Sequence, residues 1–160
     1  MIEFSNGNLF KSDAEALVNA VNCMGVMGAG LALQFRETFP ENFAAYKKAC
    51  TRGDLRIGEM FVWKSNRSGG PRYIINFPTK NHWKTKSHIE YIELGLVALV
   101  DAIREQGIES IAIPRLGCGL GGLDWEDVRP LIEQSLGAVP DVRAILYGPP
   151  GAGPNRKQEI

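Results

Sequence analysis

Residues 16–38 read ALVNAVNCMGVMGAGLALQFRET, and this stretch decides the architecture. Ala16–Val21 is a short apolar run of the kind that forms a buried strand. A glycine-rich loop, Asn22 to Ala32, follows it, and Leu31–Thr38 then has the composition of a helix that must end before Pro40. Residues 110–128, SIAIPRLGCGLGGLDWEDV, show the same order. A strand at Ile111–Pro114 is followed by a glycine loop, and Asp124 is placed to cap a helix over Trp125–Leu136. Working outward, Ile2–Phe4, Met60–Trp63, Tyr73–Phe77 and Ala144–Tyr147 read as strands, with a SNRSGGP turn at 65–71 between the second and third of these. Asn42–Cys50 reads as a second helix. Ser12-Asp-Ala-Glu15 fits a capping box opening one helical turn, and Ser87-His-Ile-Glu90 fits another opening the longest helix. In that helix positions 89, 92, 96, 99, 100 and 103 share one apolar face. Strand and helix signals alternate along the chain, which predicts an α/β layered domain with helices on both sides of a mostly parallel or mixed sheet.

Composition narrows the class. The chain has 160 residues, 44% hydrophobic and 22% charged, which suits one globular domain and excludes a disordered or collagen-like chain. No apolar stretch approaches the ~20 residues of a membrane span, and MIEFSNGNLF at the N-terminus lacks the basic and apolar regions of a signal peptide. Cys23, Cys50 and Cys118 are far apart and match no zinc spacing, so reduced thiols in a cytoplasm are expected. Two histidines, His82 and His88, cannot build a metal cluster alone. The final GPPGAGPNRKQEI, 148–160, reads as a flexible tail or the start of a linker to a further region.

The net charge is zero but unevenly spread. Lys47 to Lys86 holds ten basic and two acidic residues, +8, whereas Ser87 to Asp141 holds three basic and ten acidic, −7. Folding can interleave these as salt-bridged faces, or leave one basic face able to meet a phosphate backbone.

Two glycine loops at strand ends carry the chemistry. Glycine lets backbone N–H groups approach an anion, and a following helix adds the positive end of its dipole. Neither loop is a Walker A, and neither fits the G-x-G-x-x-G dinucleotide fingerprint. Two such loops on the carboxyl ends of strands imply a cleft that grips a diphosphate from both sides.

GNLF at 7–10, VNAVNCMGVMGAGLALQF at 18–35 and IPRLGCGLGGLDWEDV at 113–128 resemble the macrodomain, the ADP-ribose-binding α/β module, in the right order over residues 1–148. NFPTKNHWKTKS at 76–87 is similar to the branch whose members are ADP-ribosyl glycohydrolases with a catalytic lysine. The resemblance implies a three-layer α/β/α sandwich on a central mixed sheet. It implies that Asn8 and Leu9 contact the adenine edge, that Tyr147 and Pro149 flank the ring, and that Asn22 bonds the distal ribose. It implies that Met27, Gly28, Ala29, Gly30 and Leu31, with Gly117, Cys118, Gly119, Leu120 and Gly121, wrap the diphosphate and distal ribose, and that Thr79 and Lys80 face the scissile bond. No cofactor is implied. Members of this branch that act on protein carry an aspartate two residues after the Cys-Gly pair; here that position is Gly121, so a lysine-plus-aspartate mechanism does not transfer whole.

Other residues admit two readings. Asn22 also suits a cap on its own turn, Asp124 a helix cap more than an acid, and Cys118 a small packed thiol more than a nucleophile, lacking a paired histidine. Trp83, between His82 and Lys84, is either a loop anchor or a base-stacking residue; with Lys86 these are candidate DNA contacts. The function implied by the resemblance is removal of ADP-ribose from thymidine in single-stranded DNA, as the antitoxin against a toxin that attaches it. That toxin would be met through a region beyond residue 160. A non-catalytic ADP-ribose reader and a hydrolase of ADP-ribosylated protein are the alternatives.

Overall fold

The computed structural model describes residues 1–151; the expected tail lies outside the described residues from residue 152 on. The elements run β1 (Ile2–Ser5), a 3-10 turn (Leu9–Lys11), β2 (Ala16–Asn22), α1 (Gly30–Thr38), α2 (Pro40–Thr51), β3 (Phe61–Lys64), β4 (Tyr73–Lys80), α3 (Ile89–Gln106), β5 (Ser110–Pro114), α4 (Trp125–Leu136) and β6 (Arg143–Tyr147). One six-stranded sheet has the order β1-β6-β5-β2-β4-β3. Every pairing is parallel except β3 with β4, so the sheet is mixed, as expected. Among the described residues no helix is long and apolar enough to cross a membrane.

Strand alternation sorts the core onto two faces. Leu17, Ile74, Ala112 and Ile145 point to one side and pack with Phe35 and Phe39, from α1 and the residue after it, and with Tyr46 of α2. Their neighbours Val18, Ile75, Ile113 and Leu146 point to the other side, where Leu96, Leu99 and Ile103 of α3 and Val128 and Ile132 of α4 cover them. This makes the three-layer α/β/α sandwich. The interior strands β2 and β4 are buried on both faces, which is why they read as near-continuous apolar runs. Gly95 lets α3 sit directly on β4: a Cβ there would lie well inside 3.0 Å of the Phe77 ring. Buried amides tie α2 to the sheet, with Asn76 Nδ2 donating to Asn42 Oδ1 at 2.8 Å and Asn19 Nδ2 donating to Asn76 Oδ1 at 3.3 Å.

Two expected capping boxes form differently. Ser12 opens no helical turn; its Oγ accepts from Ala14 N at 3.1 Å, while Glu15 N donates to Ser110 Oγ and Glu15 O accepts from Arg72 N. That backbone is committed to the sheet entry, and the helical turn lies earlier, capped by Asn8 Oδ1. Before α3, His88 occupies the cap position without a side-chain bond, because the Ser87 hydroxyl donates instead to the Thr79 carbonyl. Asp124 caps α4 as expected, accepting from Glu126 N at 3.0 Å.

Candidate active site

The carboxyl ends of β6, β5, β2 and β4 line up along one edge of the sheet. Three strand spacings separate the first from the last, ~14 Å at ~4.8 Å each. A cleft of about 850 Å³ follows that edge, with Tyr147 at one end, Pro114 and Asn22 between, and Lys80 at the other. Helix α1 points its N-terminus into the cleft. Its cap residue is Ala29, which has no side-chain acceptor, so the amides of Gly30, Leu31 and Ala32 have no partner among the described residues. Gly30 takes φ +58° there, a left-handed value that suits glycine. Across the cleft the second loop folds on itself, with Cys118 N donating to Arg115 O, Gly122 N to Gly119 O and Leu123 N to Gly117 O. The amides of Gly119, Leu120 and Gly121 have no partner among the described residues. Two sets of free N–H groups and a helix dipole make an anion cradle.

Lys80 ends β4 rather than starting a loop. The β2–β4 register runs Val21↔Pro78 and then Asn22↔Lys80, so Thr79 is bulged out of the ladder. A bulge shifts the side-chain alternation by one residue, and this one sets Lys80 beside Asn22 on the cleft. The Ser87 hydroxyl on the Thr79 carbonyl holds the bulge. Lys80 Nζ donates to the Trp83 carbonyl oxygen at 3.1 Å. Among the described residues the charged side chains lining the cleft are Lys80 and Arg115, and no Asp or Glu lines it. Nor is there room for a carboxylate at position 121. A Cβ on Gly121 would lie well inside 3.0 Å of the Gly117 carbonyl oxygen and 2.9 Å from the Gly117 carbonyl carbon. Burial pushes the Cys118 thiol up to about 11, and it donates to Leu116 O, so it is a packed thiol and no thiolate nucleophile at neutral pH.

Several expected ligand-binding residues do line the cleft: Asn8, Leu9, Gly28, Thr79, Gly117 and Leu120, along with those already placed. Asn22 serves its own loop, accepting at Oδ1 from Met24 N (2.9 Å) and the Tyr46 hydroxyl (3.0 Å), and donating from Nδ2 to Val26 O (2.8 Å). One Nδ2 hydrogen remains for a ligand. The Met27 side chain is fully buried, near Asn19 Nδ2, and Met27 does not line the cleft. Pro149 does not line the cleft; its carbonyl accepts from Trp125 Nε1 at 2.7 Å. His82, Lys84 and Lys86 stand outside, whereas Trp83 lines the cleft and is 48% exposed. The sequence reading missed Arg115 and Gln34. Arg115 directly follows a strand, the same signal that marked the end of β4, and Gln34 lies one turn into α1 from Gly30. Among the described residues no ion pair joins the basic stretch 47–86 to the acidic stretch 87–141, and its one pair is Arg67 with Glu41. No group of three His, Cys, Asp or Glu side chains stands together among them as a metal-binding set.

The Macro domain family model matches residues 18–132, from β2 into α4. The DNA ADP-ribosyl glycohydrolase of Mycobacterium tuberculosis is 52% identical over 151 residues, covering 94% of this chain and 43% of that protein. The chain therefore spans less than half the length of this curated relative. The solved macrodomain of Mycobacterium tuberculosis DarG superposes with a TM-score of 0.92 at 52% identity, over 94% of this chain and 99% of that one. Thermosipho africanus DarTG in complex with ADP-ribose superposes with a TM-score of 0.87 at 34% identity, over 98% of this chain and 44% of that one. The likeness runs through both glycine loops and the cleft they enclose, and the chain belongs to the Macro domain family.

Proposed function

We propose that this chain is the catalytic domain of a DNA ADP-ribosyl glycohydrolase, which removes ADP-ribose from thymidine in single-stranded DNA and so acts as the antitoxin to a DarT-like toxin. The observation that carries the reading is a lysine, Lys80, at one end of a diphosphate-sized cleft that no carboxylate among the described residues lines. The name of the similar DNA ADP-ribosyl glycohydrolase supports DNA as the modified substrate. In this reading adenine lies at the Tyr147 and Asn8 end, the diphosphate between the two sets of loop amides, and the distal ribose beside Asn22, Thr79 and Lys80. In this reading the protein works in the cytoplasm, with the DNA.

The bond cut joins the anomeric carbon of the distal ribose to a thymine ring nitrogen. As it breaks, negative charge grows on the base and positive charge on the ribose. A protonated Lys80 beside the base stabilises the first. Water adds to the anomeric carbon, and its proton passes to the ring nitrogen of the released base. Loop amides hold the sugar in line, which lowers the barrier through orientation. The other route is attack by neutral Lys80 on the anomeric carbon: the C–N bond to thymine breaks as the lysyl–sugar bond forms, the thymine anion takes the proton of the substituted ammonium, and water then releases the sugar.

Lys80→Ala tests this. It should lower cleavage of ADP-ribosylated thymidine DNA by at least ~10²-fold and leave ADP-ribose affinity within a few-fold, since loop amides hold the diphosphate. Substantial activity in Lys80→Arg supports charge stabilisation, whereas a lysyl–sugar adduct trapped by borohydride supports covalent attack. Wild-type hydrolysis by Lys80→Ala would overturn the assignment of Lys80, whereas binding of ADP-ribose with no hydrolysis by the unaltered chain would favour the second reading, an ADP-ribose reader, for which the lack of a carboxylate among the described cleft residues also speaks.

A further inference from the structure

Three large apolar side chains stand exposed on the cleft wall: Trp83 at 48%, Leu120 at 71% and Val26 at 37%. They come from three different segments, the 81–87 loop and the two glycine loops, so no single turn explains their exposure. Apolar surface of this kind on a cleft lining calls for an occupant. The cations beside it define that occupant's charge. Lys80 binds the Trp83 carbonyl, Lys84 Nζ lies 4.9 Å from the Trp83 ring centroid, and the Lys86 side chain packs against Gly122 of the second loop. None of the three lysines has an acidic partner among the described residues. The surface thus presents an aromatic plate inside a cationic rim, which matches a flat, uncharged ring attached to a polyanion. An ADP-ribosylated carboxylate side chain offers neither.

Resting on the function proposed above, we infer that the Trp83 indole is the stacking platform for the nucleobase attached to the distal ribose, with Lys84 and Lys86 receiving the flanking phosphates. The indole is prepared for this. The His82 ring stacks on it at 5.4 Å between centroids, with an interplanar angle of 29°, and steadies it. The Lys84 ammonium lies over the ring as an exposed cation–π contact, equivalent to only ~2- to ~5-fold in an equilibrium. A stacked base is equivalent to ~5- to ~150-fold. An arriving base therefore displaces the ammonium, which is then free to pair with a phosphate. The hydrogen bond from Lys80 Nζ to the Trp83 backbone carbonyl ties the reactive amine to the residue that carries the plate, so a base stacked on Trp83 is brought to the Lys80 end of the cleft.

The test uses the whole chain with Trp83 changed to Ala, Leu or Phe, and reads kcat/KM on a single-stranded oligonucleotide carrying ADP-ribosylated thymidine. Trp83→Ala and Trp83→Leu should each lose ~5- to ~150-fold, Trp83→Phe should recover most of it, and the free ADP-ribose Kd should hold in all three. Recovery by Trp83→Leu would show a packing role and overturn the proposal, as would a wild-type rate in Trp83→Ala. A second readout does not depend on catalysis: unmodified oligothymidylate should quench indole fluorescence in the wild type, and Trp83→Phe should abolish that quench. If the wild-type chain cleaves no modified DNA, the functional reading fails by itself, and the presence or absence of the quench then decides the stacking proposal.

Discussion

Gly119 and Gly121 sit two residues apart in one loop, yet adding a side chain should do opposite things at the two positions. A Cβ on Gly119 meets no heavy atom within 4 Å, and the residue does not take a positive φ. Gly119→Ala should therefore leave the melting temperature unchanged. Gly119→Glu should also fold, but it sets a carboxylate beside the diphosphate. At ~4–8 Å and an effective dielectric of ~20, that repulsion is about 2–4 kcal/mol per unit charge, or roughly 30- to 1,000-fold in ADP-ribose Kd. A Cβ on Gly121 instead runs into the Gly117 backbone, where no flexible side chain can give way. Gly121→Ala should cost about 1–3 kcal/mol as overpacking, a fall of roughly 2–12 °C in Tm for a domain of this size. It should also weaken ADP-ribose binding, because the displaced loop carries the amides. Gly121→Asp should fare no better and should not create a lysine–aspartate pair. Calorimetric titration with ADP-ribose and thermal melts of the variants decide the matter. A Gly121→Ala protein with wild-type Tm and affinity would refute the loop geometry, and unchanged affinity in Gly119→Glu would remove that loop from the diphosphate site.

Gly95→Ala should destabilise the protein although alanine is the better helix former, because an overpacking penalty of about 1–3 kcal/mol exceeds a propensity gain of about 1 kcal/mol; a double-mutant cycle with Phe77→Leu should show coupling, and simple additivity would mean the two do not touch. Burial pushes the Cys23 and Cys118 thiols up to about 11, against ~8.5 in an unfolded chain. The folded state keeps protons that the unfolded chain releases, so this stability is full below about pH 8.5 and is lost as the pH climbs toward 11. Denaturant midpoints at pH 7.5 and pH 10 should differ, and the gap should shrink in the Cys23→Ala/Cys118→Ala protein; an equal gap in both would assign it to other groups. Activity on modified DNA should fall with salt more steeply than ADP-ribose binding does, and Lys84→Ala or Lys86→Ala should reduce the log–log slope by ~0.7 if each meets one single-strand phosphate. A salt-independent rate on DNA would mean that only the modified nucleotide is read.

What the sequence determined by itself was everything set by local chemistry. Apolar runs bounded by glycine and proline marked the strands, and each strand was found within a few residues of its expected limits. The 3.6-residue spacing placed Ile92, Leu96, Leu99 and Ile103 on the buried face of α3. A carboxylate followed by a helical run placed Asp124 as a cap, and two strand–glycine–helix units located the cleft. Tertiary structure decided what depends on atoms distant in sequence. Ser87 looks like a helix cap until a carbonyl eight residues away takes its hydroxyl. Lys80 reads as a loop residue because the bulge at Thr79 exists only in the register between β4 and β2. Gly121 shows a missing acid in the sequence, but only the packing against Gly117 shows that no acid fits. Side-chain direction and free volume are set by which backbones meet, and a linear pattern does not carry that.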